Sequence, residues 1–327
     1  MLEQVPLISI VVPVKNGEPW LEKTMNSIFA QTLINKAEVI AIDSGSTDQS
    51  ISILQRFPVQ IISIDPHEFN HGQTRNVGVK AAKGKFVVMT VQDAEPTDEN
   101  WLTQLLDGFD DANVAGVCGL QLVPHDLNKN PVEWWRPQSL PVKRKFFFEN
   151  RDQFEALDPE KKREICSWDD VNAMYRKEVL LAIPFQTVSF AEDVLWAKDA
   201  ILTGHSIVYN PNAKVKHYHY ETADSVFRRT FTVSYHFYIF FDLLPIIHHH
   251  QLSNLLRMTK SLVLEKKINW PDKWRWLVYN YKLDKAISQA HRIFLKAHQL
   301  GRKELDRKHT EICGVIPQAL KPISINS

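Results

Sequence analysis

The chain is poor in the features that mark several large protein classes. It has only three cysteines in 327 residues, Cys118, Cys166 and Cys313. They are odd in number, far apart and without metal-ligand spacing, so they read as reduced thiols in a cytoplasmic protein rather than a disulfide framework. An excess of one charge is missing too. With 39 Lys and Arg against 38 Asp and Glu, the formal net charge is +1, which gives no electrostatic case for binding nucleic acid. No G-x-G-x-x-G, H-E-x-x-H or G-x-S-x-G occurs, so a dinucleotide-binding dehydrogenase, a zinc protease and a serine hydrolase lose their main support. A P-loop is approached between Gly78 and Gly84-Lys85, but five residues intervene where the motif needs four, and Phe86 stands where Ser or Thr should.

No apolar run reaches the ~20 residues of a spanning helix. Leu7 to Val14 has no basic region before it and is too short for a signal peptide, so it reads as a first strand. Phe231 to Ile247 is rich in Phe, Tyr, Ile and Leu but contains His236, Asp242 and Pro245, which suits a buried or interfacial helix. What is present is ordinary globular material: 44% hydrophobic and 24% charged residues, enough to bury a core over most of the length.

The first half alternates two periodicities. Apolar runs at Leu7–Val14, Glu38–Ile42, Val59–Ile64, Lys85–Val91 and Val114–Val123 are separated by segments with helical spacing, among them Trp20 to Phe29, Thr74–Ala82 and Trp101–Phe109. This rhythm predicts an α/β fold, a mostly parallel sheet with helices on both faces. From 124 to about 170 the rhythm gives way to an irregular, Pro-, Trp-, Phe- and Lys-rich insertion, a candidate surface for an acceptor. Glu192–Thr203 reads as a helix stopped by Gly204, followed by strands at Ser206–Tyr209 and Lys214–Tyr220. Two parts are expected: a nucleotide-binding domain over 1–222 and a mainly helical region over 223–327.

Open α/β sheets bind ligands beyond the carboxyl ends of their strands. Four loops of suitable chemistry lie there: Pro13-Val14-Lys15-Asn16-Gly17, Asp43-Ser44-Gly45-Ser46, His71-Gly72-Gln73-Thr74-Arg75-Asn76 and Gln92-Asp93-Ala94. Asp43 can accept hydrogen bonds from a nucleobase imide or a ribose hydroxyl, or serve only the turn it sits in. Asp93 can hold a divalent cation bridging a pyrophosphate, and Arg75 can pair with phosphate oxygens or lie solvated on a helix.

With these pieces in order, the chain resembles the family 2 glycosyltransferases, which have the GT-A fold. The resemblance rests on Val11-Val12-Pro13-Val14-Lys15-Asn16, Ile42-Asp43-Ser44-Gly45-Ser46-Thr47-Asp48, Arg75-Asn76-Val77-Gly78, Gln92-Asp93-Ala94 and Ala191-Glu192-Asp193, spread over about two thirds of the chain. It looks most like the bacterial rhamnosyltransferase branch, in its His71–Asn76 and Gln92–Pro96 segments and in Ala213-Lys214-Val215-Lys216-His217-Tyr218-His219.

The resemblance implies a nucleotide site containing Pro13, Lys15, Asn16, Asp43, Arg75 and Gln92. It implies Asp193 as the catalytic base and Asp93 as the last residue of the family's D-x-D metal motif. The motif is incomplete, since Thr90-Val91-Gln92 brings no second carboxylate, and His217 is the further candidate ligand for Mg or Mn, the alternative being a half-exposed strand histidine. Glu192, Trp168, Asp170, Asn172 and Arg229 are the sugar and acceptor candidates, the alternatives being core burial for Trp168 and a solvated helix face for Arg229. The expected reaction is inverting transfer of a sugar, L-rhamnose from dTDP-L-rhamnose or a hexose from a UDP donor, to a saccharide or polyprenyl-linked acceptor. A catalytically silent nucleotide-sugar scaffold is the reading from another class. Lys260, Lys266 and Lys267 with Trp270, Trp274 and Trp276 resemble an interfacial belt, so peripheral contact with the inner face of the cell membrane is expected beside the alternative of a homodimer.

Overall fold

The structure, a computed structural model, describes residues 5–126, 130–132, 141–246 and 251–321. The run His248-His249-His250, which as a sequence suits an exposed polar turn, lies outside them. Strand β1 (Ile8–Val14) leads through helix α1 (Glu18–Phe29) to β2 (Ala37–Asp43), and α2 (Ser50–Leu54) leads to β3 (Val59–Ser63). Helix α3 (His71–Ala81) returns the chain to β4 (Phe86–Thr90). The short β5 (Glu95–Pro96), α4 (Trp101–Leu106) and β6 (Val114–Leu122) follow. Then come β7 (Arg144–Phe146), α5 (Arg151–Glu155), α6 (Pro159–Ile165), β8 (Asn172–Arg176), α7 (Lys177–Ala182), α8 (Glu192–Leu202) and β9 (Ser206–Lys216).

The strands form one sheet in the order β3-β2-β1-β4-β8-β6-β9-β5, with β7 also on β9. Pairs among β1, β2, β3 and β4 are parallel, as is β6 with β9. Strand β8 is antiparallel to both β4 and β6, and β5 and β7 are antiparallel to β9. The parallel half is the part legible as strand–helix rhythm, while β8 enters against the grain from within the irregular stretch.

Alternation along β1 explains how both faces are covered. Ile8, Ile10, Val12 and Val14 join Leu21, Met25 and Ile28 of α1 and Trp101, Leu102 and Leu105 of α4 in one buried cluster. Val11 points the other way, onto α3 at Gly78, where an added Cβ would overlap Val11 Cγ1. Glycine is required at that position because the helix backbone touches the sheet there. Asn70 starts α3, its side chain accepting from Gln73 N at 3.1 Å.

The chain forms two compact units. Among described residues the first comprises 5–122, 141–217 and 319–321, and the second 123–126, 130–132, 218–246 and 251–318. The boundary therefore differs from a single division after 222. The first part of the irregular insertion belongs with the helical unit, where Asn130 and Asn280 exchange side-chain hydrogen bonds at 2.8 and 2.9 Å.

That second unit contains α9 (Ala223–Phe241), α10 (Gln251–Leu264), α11 (Trp270–Gln299) and α12 (Arg302–Cys313). Of the stretch read as buried or interfacial, the part in α9 supplies this unit's core, where Phe231 and Tyr235 pack with Ala290, Phe294, Ala297 and Leu305, while Leu244 and Ile246 beyond it are exposed. Of the three tryptophans in the expected belt, Trp276 is buried, whereas Trp270 and Trp274 are 69% and 68% exposed. No described helix is long and apolar enough to cross a membrane.

Candidate active site

The carboxyl ends of β1, β2 and β4 converge as expected, and their loops are tied together by their own side chains. Gln92 clasps the main chain of Lys15, accepting from its N–H at 2.8 Å and donating to its carbonyl at 3.1 Å. Lys15 Nζ donates to the carbonyls of Ser44 and Gly45, both at 2.7 Å. Asn16, left-handed at φ 49°, accepts from Thr47 N at 2.9 Å through Oδ1. Asp43 is buried and accepts from Gly45 N at 3.0 Å and Ser46 N at 3.1 Å, so it does serve the turn. Pro13 lies within β1, opposite Ile42.

Asp93 sits in the turn beyond β4 and His217 just past the end of β9. Their Oδ1 and Nε2 atoms are 3.6 Å apart, too far for a hydrogen bond. Two donors at ~2.1 Å from one divalent ion stand roughly 3.0–3.5 Å apart, so this pair fits a cation between them. The other ring nitrogen, Nδ1, lies 2.9 Å from Gln121 Oε1. Gln121 Nε2 in turn donates to Asp169. Neither Gln121 nor Asp169 was among the sequence candidates. Gln121 is one polar residue in an apolar strand, and Asp169 is the first of an Asp-Asp pair in which Asp170 offered the same chemistry.

Asp193 stands in the first turn of α8, behind Ala191, whose φ of 60° turns the chain sharply into the helix. Its Oδ2 accepts from Asp170 N at 3.2 Å and its Oδ1 from Val194 N at 2.7 Å. Burial, together with the charge of Glu192, pushes its carboxyl up to about 6, against the opposing pull of Arg75. Burial and Asp193 likewise push Asp169 up to about 6.

Several candidates do something other than expected. Arg75 is neither a solvated helix residue nor turned toward a phosphate. It is 5% exposed, 3.0 Å from Asp170 Oδ2 through Nε and paired with Glu192 through Nη1. Burial alone would favour the neutral guanidine, but Asp170 and Glu192 outweigh it and hold the charge. Asp170 is fully buried, accepts from the Tyr175 hydroxyl as well, and so offers nothing to a sugar. Trp168 is core rather than a stacking platform. It packs against Trp196 and donates to Tyr175 Oη at 2.7 Å.

Asn172 is also fully buried, accepting from Trp101 Nε1 at 2.7 Å and donating to Ala213 O at 2.9 Å. Glu192 is committed to Arg75. Arg229, in α9, pairs with Glu221 on an exposed surface of the second unit. The polar segment 168–172 thus builds the floor of the site, and the groups it leaves to face a ligand are Asp193, Asp169 and the Asp93–His217 pair.

A family model for glycosyl transferase family 2 matches residues 9–183. The chain belongs to this family. Among its relatives is the O-antigen chain rhamnosyltransferase WbaN of Salmonella anatum, 33% identical over 232 residues that cover 69% of this chain and 70% of that protein. Another is the O-antigen chain rhamnosyltransferase RfbN of Salmonella typhimurium, 30% identical over 68% of this chain and 70% of that protein. A mannosyltransferase from Pyrobaculum calidifontis, solved with GDP-Man and Mn2+, shares the fold with a TM-score of 0.51 at 16% identity, covering 94% of this chain and 80% of its own. Family 2 membership and the rhamnosyltransferase relatives make this chain a glycosyltransferase with a GT-A fold.

Proposed function

We propose that the protein transfers L-rhamnose, with inversion, from dTDP-L-rhamnose to a saccharide or lipid-linked saccharide acceptor in cell-surface polysaccharide synthesis. The observation that carries the mechanism is Asp193: a carboxylate pushed up to about 6 and held by two backbone N–H groups in the first turn of α8. A base of that strength is ionised at neutral pH yet able to take a proton from a hydroxyl as it attacks. Transfer is a single displacement. The acceptor oxygen bonds to the anomeric carbon, its proton passes to an Asp193 carboxylate oxygen, and the bond to the nucleoside diphosphate breaks.

Asp93 and His217 would hold a divalent cation, Mg or Mn. Such an ion would supply positive charge beside the departing diphosphate. The strand-end loops receive the nucleotide, with Asp43, Lys15 and Asn16 lining it, on a base made rigid by the Gln92 clasp. Arg75, Asp170 and Glu192 act beneath the site, fixing the start of α8. The rhamnosyltransferase relatives support L-rhamnose as the donor sugar. A lipid-linked acceptor would bring the enzyme to the inner face of a membrane, which it touches through the exposed Trp270 and Trp274 of the second unit.

Turnover with a donor panel tests this reading. Transfer from dTDP-L-rhamnose, dependent on Mg or Mn and lost in Asp193→Asn with donor binding kept, is the expected result. Preference for a UDP-hexose would retain the mechanism and replace the donor. Full activity of Asp193→Asn would remove the assigned base.

A further inference from the structure

Gln121 lies in β6, opposite Val215 of β9, so its side chain reaches the point where β9 runs out into His217. The His217 N–H is itself held to Leu122 O at 3.1 Å, which leaves the imidazole little freedom to move away from the strand. Between the ring and Asp169 the Gln121 amide has two neighbours with fixed preferences. The Asp169 carboxylate also accepts from Val171 N at 2.9 Å, and an ionised carboxylate can only accept. The NH2 group must therefore face Asp169, and the amide oxygen must face His217 Nδ1 at 2.9 Å.

An oxygen facing Nδ1 requires the hydrogen to be on Nδ1. The lone pair of the neutral ring is then on Nε2, the atom 3.6 Å from Asp93 Oδ1.

We propose that Gln121 is a positioning residue: anchored by Asp169, it fixes His217 in the Nδ1–H tautomer and so prepares Nε2 to bind the divalent cation. The step rests on the cation site described above, but its first half, the tautomer, exists without any ion. Carboxylate or carbonyl partners of this kind tune a histidine ligand from behind, and their loss typically costs ~10–100-fold in metal affinity. Here the partner is an amide, whose polarity is set one residue further back.

The full-length protein and two variants provide the test. In Gln121→Leu the ring loses its acceptor and drifts toward the Nε2–H form that neutral histidine favours in water. Gln121→Glu combined with Asp169→Asn reverses the pair: the introduced amide donates to the introduced carboxylate, and an acceptor still faces Nδ1. The ring nitrogen shifts of His217 in the metal-free protein, read by nitrogen-15 NMR, should show Nδ1–H in the wild type and the double variant but not in Gln121→Leu. Mn2+ titration followed by electron paramagnetic resonance should show ~10–100-fold weaker binding in Gln121→Leu and recovery of most of the affinity in the double variant.

An Nε2–H ring in the wild type would overturn the proposal, as would unchanged Mn2+ affinity in Gln121→Leu. A wild type that binds no Mn2+, or a His217→Ala variant that binds it equally well, would instead defeat the cation site, and the NMR signature would still decide the role of Gln121.

Discussion

As the proposed base, Asp193 combines a functional demand with a structural cost. Its ionised form is disfavoured by burial and by Glu192, which raises its folded-state value to about 6. A raised carboxylate contributes stability that is present below its unfolded value and lost as pH climbs through the folded one. Two outcomes follow. Turnover should rise with pH through about 6 as the base ionises, and Asp193→Asn should lose at least ~100-fold in kcat. The same variant should melt higher than the wild type above neutrality, with the difference shrinking toward pH 4, because asparagine removes a charge that only the catalyst needs. A pH–rate profile and paired melting curves check both signs. A variant that melts lower throughout would mean that Asp193 holds the fold rather than strains it.

Arg75 carries the opposite lesson. It is the buried cation facing Asp170 and Glu192, and removing one partner of such a set leaves charge with nothing to balance it. Arg75→Met should therefore lose about 3–5 kcal/mol of stability, measured by chemical denaturation, even though the residue works beneath the site rather than in it. Motif order singled out Asp93, Asp193 and His217 by residue type, and the structure brings Asp93 and His217 within 3.6 Å of one another. The inward turn of Arg75, Asp170 and Asn172 was not legible, since an arginine beside a phosphate and an arginine beneath a carboxylate pair look the same in sequence.

At the scale of elements, the strands that follow helices announced themselves, and the one that matters most to the site did not. Strand β8 reads Asn-Ala-Met-Tyr-Arg, with polar ends that hide a fully buried run. Its ends are tolerated because their partners are built in: Arg176 donates to Val114 O and Asp111 O, both at 2.8 Å, and lies over the rings of Phe86 and Phe109. Strand β9 likewise runs unbroken from Ser206 to Lys216, through Pro211, where two strands were expected at Ser206–Tyr209 and Lys214–Tyr220. Strand–helix contact offers a sharper test. A methyl group at position 78 would overlap Val11, so Gly78→Ala should cost about 1–3 kcal/mol. Adding Val11→Ala should return part of that loss. If the two changes simply add in denaturation experiments, α3 does not rest on β1 at this point.

At the scale of the molecule, composition pointed to a catalytic α/β unit and a helical one, but not to the early segment that belongs with the helices. That segment joins them through Asn130 and Asn280, a pairing 150 residues apart that no local pattern encodes. The helical unit also separates its aromatics into two uses. Phe231, Tyr235 and Phe294 make its core, while Trp270 and Trp274, one turn apart on α11, stay exposed with Leu256, Val263 and Leu264 of α10. Exposed Arg257, Lys260, Lys266 and Lys267 accompany them. Of the carboxylates in these segments, Asp272 pairs with Arg275 at 3.2 Å, and Glu265 accepts from the backbone Lys267 N at 3.0 Å. Exposed tryptophans together with exposed lysines and an arginine suit an anionic lipid surface. The protein should therefore sediment with vesicles containing phosphatidylglycerol, and not with phosphatidylcholine alone, in a salt-sensitive manner. Trp270→Ala with Trp274→Ala should abolish this without lowering transfer to a soluble acceptor. Failure to bind anionic vesicles would refute the contact. A concentration-dependent dimer that the same pair of substitutions dissolves would assign the patch to a second copy of the chain instead.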